Sequence, residues 1–324
     1  MELERFCSTS RVVIVAGKGG VGKTTVTAAL ATAAARAGTS VLIVEVEGKS
    51  GLTSAFGCQA LTYEEAELRP GVVGRTLTPD EALIEYLETH GLRRISKRLV
   101  NSGALDVVAT AVPGMKDILV LGKVKALDVE SRFGLIIVDA PAAGHAITFL
   151  TSPRGLLDAV KVGPINAQAA SVIELLSDPS RCQVMLVTTP EETPVNELVE
   201  TGFALEDRVG IKLGPVVING CTPATPGLDD SPPSIERIER DAAELDVFVS
   251  PREASDLASA AAFRAELRAL QREQADRLAA RLPLPQIRLP FLYSAEIGPT
   301  EVDVLADALI AEVEMLPEPV AAPT

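Results

Sequence analysis

Residues Gly17-Lys18-Gly19-Gly20-Val21-Gly22-Lys23-Thr24 have the types and spacing to hold a phosphate. They fit GxxxxGK[ST]. The backbone of Gly19, Gly20, Val21 and Gly22 can turn successive N–H groups toward one anion, because glycine carries no Cβ to resist the turn. A helix starting at Lys23 adds its positive end. Lys23 is placed to reach β- and γ-phosphates, Thr24 to offer its hydroxyl to Mg²⁺, and Thr25 to add a hydrogen bond to an α-phosphate. A second signal is Asp139, which ends the apolar run Leu135-Ile-Ile-Val138. A carboxylate at the end of a buried strand can hold Mg²⁺ directly or through water. It can also cap a following helix.

These groups need rigid elements behind them. Arg11 to Ala16 is a short β-branched run and reads as a buried strand, and Lys23 to Ala37 is Ala-rich and reads as a helix that Gly38 stops. Val41–Val44, Val72–Leu77, Leu135–Val138, Val184–Val187, Pro215–Asn219 and Gln286–Pro290 are further strand candidates. Helical patterns cover Pro79–His90, Arg93 to about Leu127 with a break at Pro113-Gly114, Ala146–Leu150, Gly155–Val160, Ala167–Leu176 and Val195–Leu205. Thr222–Pro233 reads as an exposed loop, followed by helices near Ile235–Leu245, Ala258–Leu282 and Thr300–Met315. Strands alternating with helices predict an α/β fold, a doubly wound and mostly parallel sheet of the P-loop NTPase type. We expect one domain over 1–315 with helical insertions near 80–130 and 155–177, and a flexible tail over 316–324.

Composition narrows the function. Apolar residues make up 47% of the chain, enough for a full core. Acidic residues number 44 and basic residues 30, a formal charge of −14 that disfavours nucleic acid as a partner. A basic cluster, Arg93-Arg94 with Lys97-Arg98, is the place to look for acidic partners. No apolar run reaches 18 residues and the first ten lack a signal-peptide core, so the expected address is the cytoplasm, with only peripheral membrane contact left open. The four cysteines show no zinc-ligand spacing.

The loop, with Lys18 directly after its first glycine, resembles the deviant form of the Walker motif. In that class the extra lysine crosses a dimer interface to the partner's nucleotide. An added cation at the transition state contributes about 10³–10⁵ in rate where an arginine plays that part. Three further stretches extend the likeness: Glu47–Gly57 (EGKSGLTSAFG), Asp139–Leu150 (DAPAAGHAITFL) and Leu289–Gly298 (LPFLYSAEIG). Together they resemble the arsenite-pump ATPase family, which includes the ATPases that target tail-anchored proteins. Pro113–Asp117 is similar to a further family motif. The resemblance implies ATP and Mg²⁺ as cofactors. It implies that Glu47 positions the attacking water, although the family has Asp-Pro where this chain has Glu47-Gly48. Glu45, two residues earlier at the strand end, is the alternative. It further implies that Asn219 contacts adenine and that the loop at Pro290, Phe291 and Leu292 closes over the base.

The likeness has limits that shape the expectation. The fused halves and clustered cysteines of the arsenite pumps, the zinc CxxC of the eukaryotic targeting ATPases and their methionine-rich groove are missing from this sequence. The leading reading is a dimeric MgATPase, with catalytic residues Lys18, Lys23, Glu47 and Asp139, whose opening and closing acts on a protein client at the helical insertion. The dimer is formed with a second copy or with a related ATPase subunit. One alternative is a low-activity nucleotide-binding regulatory subunit of a heterodimer, motivated by Glu47-Gly48. Another is a partition or positioning ATPase of the same class. The acidic closing helix Thr300–Met315, without Lys or Arg, makes a poor anchor for anionic lipid.

Overall fold

The fold follows from where the apolar residues can be hidden. In the computed structural model, which describes residues 1–46, 51–89, 91, 114–141, 143–228 and 231–318, the elements in chain order are α1 (Leu3–Cys7), β1 (Val12–Gly17), α2 (Lys23–Arg36), β2 (Val41–Val46), α3 (Gly51–Phe56), β3 (Ala66–Arg69), β4 (Val72–Leu77), α4 (Pro79–Thr89) and α5 (Met115–Glu130). There follow β5 (Leu135–Asp139), α6 (Ala143–Ala159), α7 (Pro164–Ser177), β6 (Cys182–Thr188), α8 (Glu192–Val209), β7 (Val216–Cys221), α9 (Ile235–Glu244), α10 (Pro251–Arg281), β8 (Gln286–Pro290) and α11 (Pro299–Met315). The strands form one sheet in the order β3-β4-β2-β5-β1-β6-β7-β8. All pairings are parallel except β3 with β4 at the edge.

Central strands buried on both faces need continuous apolar runs, and β1 supplies one. Val12, Ile14 and Ala16 face a core shared with α5, α6, α7, α8 and α10. Val13 and Val15 face a second core shared with α1, α2, α3 and α11. This is the doubly wound arrangement expected from the alternation of strands and helices. β1 pairs on one side with β5 (Val12 opposite Ile136) and on the other with β6 (Val12 opposite Cys182). The loop after β1 therefore leaves the middle of the sheet at its carboxyl edge, where parallel sheets of this type bind ligands.

Several elements differ from their sequence patterns, each for a physical reason. Ala146–Leu150 and Gly155–Val160 are parts of one helix, α6, which runs through Pro153. A proline inside a helix costs about 3 kcal/mol or more. Burial of Ala146, Phe149, Leu150 and Leu156 outweighs it. The edge strand β3 is only Ala-Glu-Leu-Arg, too short and charged to read as a strand. It exists because Pro70-Gly71, with Gly71 at φ +82°, folds it back on β4. α10 starts at Pro251, seven residues before the apolar pattern suggests. Ser250 accepts from the Glu253 N–H and the Glu253 carboxylate accepts from the Ser250 N–H, a capping box.

The region expected to form helical insertions is described in part. α4 packs on α5 through Ala82, Leu83 and Leu119. α5 and α7 also face the sheet through residues such as Val124, Leu127, Val172 and Leu175. The Arg93-Arg94 and Lys97-Arg98 cluster, and the apolar run at 105–112, lie outside the described residues. At the other end of the chain Leu316 is buried, its carbonyl accepts from the Met1 amine at 2.9 Å, and Glu318 pairs with Arg5. Leu316 and Glu318 thus contact the N-terminal segment at Met1 and Arg5. The rest of the tail lies outside the described residues. Among the described residues no helix is long and apolar enough to cross a membrane.

One charged cluster fastens the edge of the sheet remote from the loop. The Asp128 side chain is fully buried and pairs with Arg11 at 2.8 Å and with Arg181 at 2.6 Å. Both arginines keep some contact with water, so removing the carboxylate strands two half-solvated cations and not one buried charge. Hydrogen bonds to charged groups contribute about 1.5–3 kcal/mol each. Asp128→Ala is expected to lower unfolding stability by about 2 kcal/mol in urea titration while leaving nucleotide affinity unchanged.

Candidate nucleotide site

The glycine loop has the backbone its sequence requires. Gly20 and Gly22 have φ of +89° and +88°, the left-handed region where a Cβ is strained. At Gly22 space is also short: a Cβ there would lie 2.2 Å from Asn219 Nδ2. Gly17 sits equally close to β6, since a Cβ would lie 2.3 Å from the Val187 carbonyl oxygen. The loop is therefore pressed between two strand ends and turned inward. Lys23 starts α2, is nine-tenths buried, and donates from Nζ to the Lys18 carbonyl at 3.1 Å. That bond lays the lysine side chain back along the loop.

The two residues proposed for the metal lie together. Thr24 Oγ1 donates to Asp139 Oδ2 at 2.6 Å. Asp139 is buried at the end of β5, and Thr24 is in the first turn of α2. A hydroxyl and a carboxylate in contact beside a phosphate loop form an all-oxygen donor pair. Mg²⁺ prefers such donors, and takes its remaining positions from phosphate and water. The residues thus fit the ion. No group of three or more His, Cys, Asp or Glu side chains is clustered for metal binding among the described residues.

Asn219, near the end of β7, donates from Nδ2 to the Val21 carbonyl at 3.0 Å. It is held against the loop, and fixes the loop's position relative to β7. Pro290 to Leu292 follow β8, and the Phe291 N–H donates to the Cys221 carbonyl at 2.7 Å. Phe291 meets Tyr293 edge to face at 5.1 Å between ring centroids. Arg264 of α10 donates to the Tyr293 hydroxyl at 3.1 Å and to Thr225 Oγ1 at 2.6 Å. Asn219 and the Phe291 loop therefore stand on adjacent strand ends beside the cradle. The arrangement leaves Phe291 about half exposed, at 47%.

Lys18 is engaged within its own chain. Its Nζ lies 2.7 Å from Glu197 Oε1 on α8, with both side chains about two-fifths exposed. The sequence reading missed Glu197, because no local pattern links residues 179 apart. Glu45 is at the end of β2, buried, and accepts from Thr76 Oγ1 at 3.0 Å. Burial pushes the nearby Cys58 thiol up, opposed by a hydrogen bond to its own backbone and reinforced by the Glu45 charge. Glu47 and its neighbours Gly48 to Ser50 lie outside the described residues.

With this geometry in view, the likeness to known proteins is informative. Residues 10–165 match the model of the anion-transporting ATPase family, a span that includes the glycine loop, Lys18 and Asp139. ATPase BagA of Mycobacterium tuberculosis is 34% identical over 228 residues, covering 66% of this chain and 66% of that protein. The chain belongs to the anion-transporting ATPase family. An arsenical pump-driving ATPase of Escherichia coli is 27% identical over 241 residues, 66% of this chain but only 40% of the pump protein. ATPase get3 of Schizosaccharomyces japonicus is 29% identical over 169 residues, 51% of each chain. The chain is an ATPase of this family, built on the family's nucleotide-binding loop. Glu197, Asn219 and the Phe291 loop lie beyond the stretch that the family model matches.

Gly22 gives this site a test. Gly22→Ala introduces both an unfavourable φ and a clash with Asn219, so nucleotide affinity measured by calorimetry is expected to fall at least about tenfold. Adding Asn219→Ala removes the clash and keeps the φ strain, so the double variant is expected to recover only part of the loss.

Proposed function

We propose that the chain is a MgATP-hydrolysing subunit that works as a dimer and couples its nucleotide cycle to a protein client. The observation that carries this reading is the joined geometry of the loop: Lys23 laid along it, Thr24 in contact with Asp139, and Lys18 at its accessible side. Lys23 and the loop N–H groups would hold the β- and γ-phosphates, and Thr24 and Asp139 would hold Mg²⁺. The ion would neutralise charge on the phosphate oxygens as the terminal phosphoryl group leaves. Glu47 would orient the attacking water. Asn219 and the Phe291 loop would flank the base, consistent with adenine. Binding and hydrolysis of the γ-phosphate would switch the two subunits between closed and open arrangements.

Dimerisation enters through Lys18. In the lone chain Lys18 is paired with Glu197, so crossing to a partner's nucleotide requires that contact to break. An exposed pair of this kind contributes about 0.2–1 kcal/mol, so the penalty is at most about fivefold. The departure at Glu47-Gly48 supports a second reading, in which the chain binds nucleotide as one subunit of a heterodimer and turns over slowly alone.

MgATP turnover by the purified chain separates these readings. For an active homodimer, specific activity is expected to rise with protein concentration, and Lys18→Ala to lower it by about 10³-fold. Glu197→Gln is expected to reduce the protein concentration for half-maximal activity, by up to about fivefold for each of the two contacts that break in the dimer. Intact ATP binding without turnover at any concentration rejects the homodimer and favours the heterodimer subunit.

A further inference from the structure

Two carboxylates stand side by side at the carboxyl edge of the sheet. β2 and β5 are parallel neighbours, and Glu45 is in register with Asp139. Residues in register on parallel strands point to the same face. Here that is the α2 face, because Ile43 and Ile137, two residues earlier on each strand, pack in the core that α2 covers. Adjacent strands are about 4.8 Å apart, so the two acidic side chains leave the backbone at nearly that separation. Glu45 is 3% exposed and Asp139 5% exposed.

A threonine hydroxyl holds an oxygen of each acid. Thr76, in register with Glu45 on the next strand, donates to Glu45 Oε2 at 3.0 Å. Thr24 donates to Asp139 Oδ2 at 2.6 Å. Charges taken this far from water are costly unless an opposite charge lies near. Two neighbouring carboxylates beside a triphosphate raise that cost further. A divalent cation held at Asp139 would sit within one strand spacing of Glu45.

We propose that Glu45 is a second acidic residue of the magnesium side of the nucleotide site, holding a water of the ion's shell from the strand next to Asp139. The proposal rests on the MgATP reading of Thr24 and Asp139. Mg²⁺ gives up its waters reluctantly and is commonly bound through them. A carboxylate one strand away from the direct ligand is placed for such outer contact. Thr76 holds Glu45 Oε2 at 3.0 Å and so restrains the carboxylate. Glu45 therefore acts as a positioning residue, through water and metal. Mounted on a β-strand, it holds that position more exactingly than a loop residue could.

The experiment reads metal dependence of binding, with no need for turnover. Binding of a fluorescent ATP analogue to the full chain is titrated with Mg²⁺, and measured separately in EDTA. Glu45→Gln removes the charge and keeps the size. It is expected to raise the Mg²⁺ concentration for half-saturation at least about tenfold, with affinity in EDTA unchanged or tighter because one negative charge near the phosphates is gone. Thr76→Val, which leaves both acids in place, is expected to raise it by about two- to fivefold, and it decides the matter where Glu45→Gln does not fold. Equal weakening with and without Mg²⁺ marks a merely structural glutamate and overturns the proposal. With Asp139→Asn losing its Mg²⁺ dependence, an unaltered Glu45→Gln curve overturns the proposal alone. With both curves unaltered, the metal reading of Thr24 and Asp139 falls, and the proposal with it.

Discussion

Thr24 Oγ1 spans the gap between the first turn of α2 and the end of β5, meeting Asp139 Oδ2 at 2.6 Å. A hydrogen bond to an ionised acceptor is roughly twice as strong as a neutral one, and this one is shielded from bulk water. It can form only if the β1–α2 loop turns tightly enough to bring the helix start back over the neighbouring strand. That turn in turn needs glycine at 20 and 22, and it needs β5 to lie directly beside β1. The strand order thus serves the contact: β1 sits between β5 and β6, with the phosphate loop above the gap. Asn219 braces the loop from the other side, through the Val21 carbonyl.

How far this was legible in the amino-acid order depends on the range of the interaction concerned. Val12–Gly17, Val41–Val46 and Leu135–Asp139 announce themselves as β-branched runs because both of their faces are buried. The glycine loop announces itself because its backbone shape leaves few residue types. Asp139 was readable from its place at a strand end. Glu197 was not, since its contact with Lys18 depends on how α8 packs after β6. Thr76 looked like an ordinary strand residue until its register with Glu45 was known. β3 escaped notice because an antiparallel edge strand needs no apolar run, only a partner and a turn. The capping box at Ser250 and Glu253 was readable, but the apolar pattern of α10 begins later and drew the boundary with it.

The two sides of the proposed nucleotide site are built differently. On the proposed metal side, Glu45, Thr76 and Asp139 belong to three adjacent strands and are buried. On the proposed base side, Phe291 is about half exposed and Tyr293 largely exposed, both on a loop. Lys18 is intermediate, fastened to Glu197 by a contact that solvent reaches. Rigidity therefore resides where charge must be placed accurately, and freedom where a nucleotide must enter and leave. The arm formed by α9 and α10 extends the free side. α9 buries none of its residues, and apolar side chains such as Phe248 and Phe263 remain exposed around it.

The central position of β1 has a consequence for the newborn chain. Within this sheet β1 is made before every other strand, yet its partners begin at Leu135 and Cys182. At synthesis rates of about 5–20 residues per second, β1 waits roughly 6–25 seconds for β5 to be made. Throughout that interval Val12 to Val15 form an unpaired apolar strand, and the glycine loop has nothing to be pressed against. The phosphate-binding shape can arise only late, once the chain has been made through β6. A chain cut short before β6 therefore carries the whole glycine motif in its sequence and none of its architecture. Its apolar strand is left for chaperones to shelter or for other chains to capture.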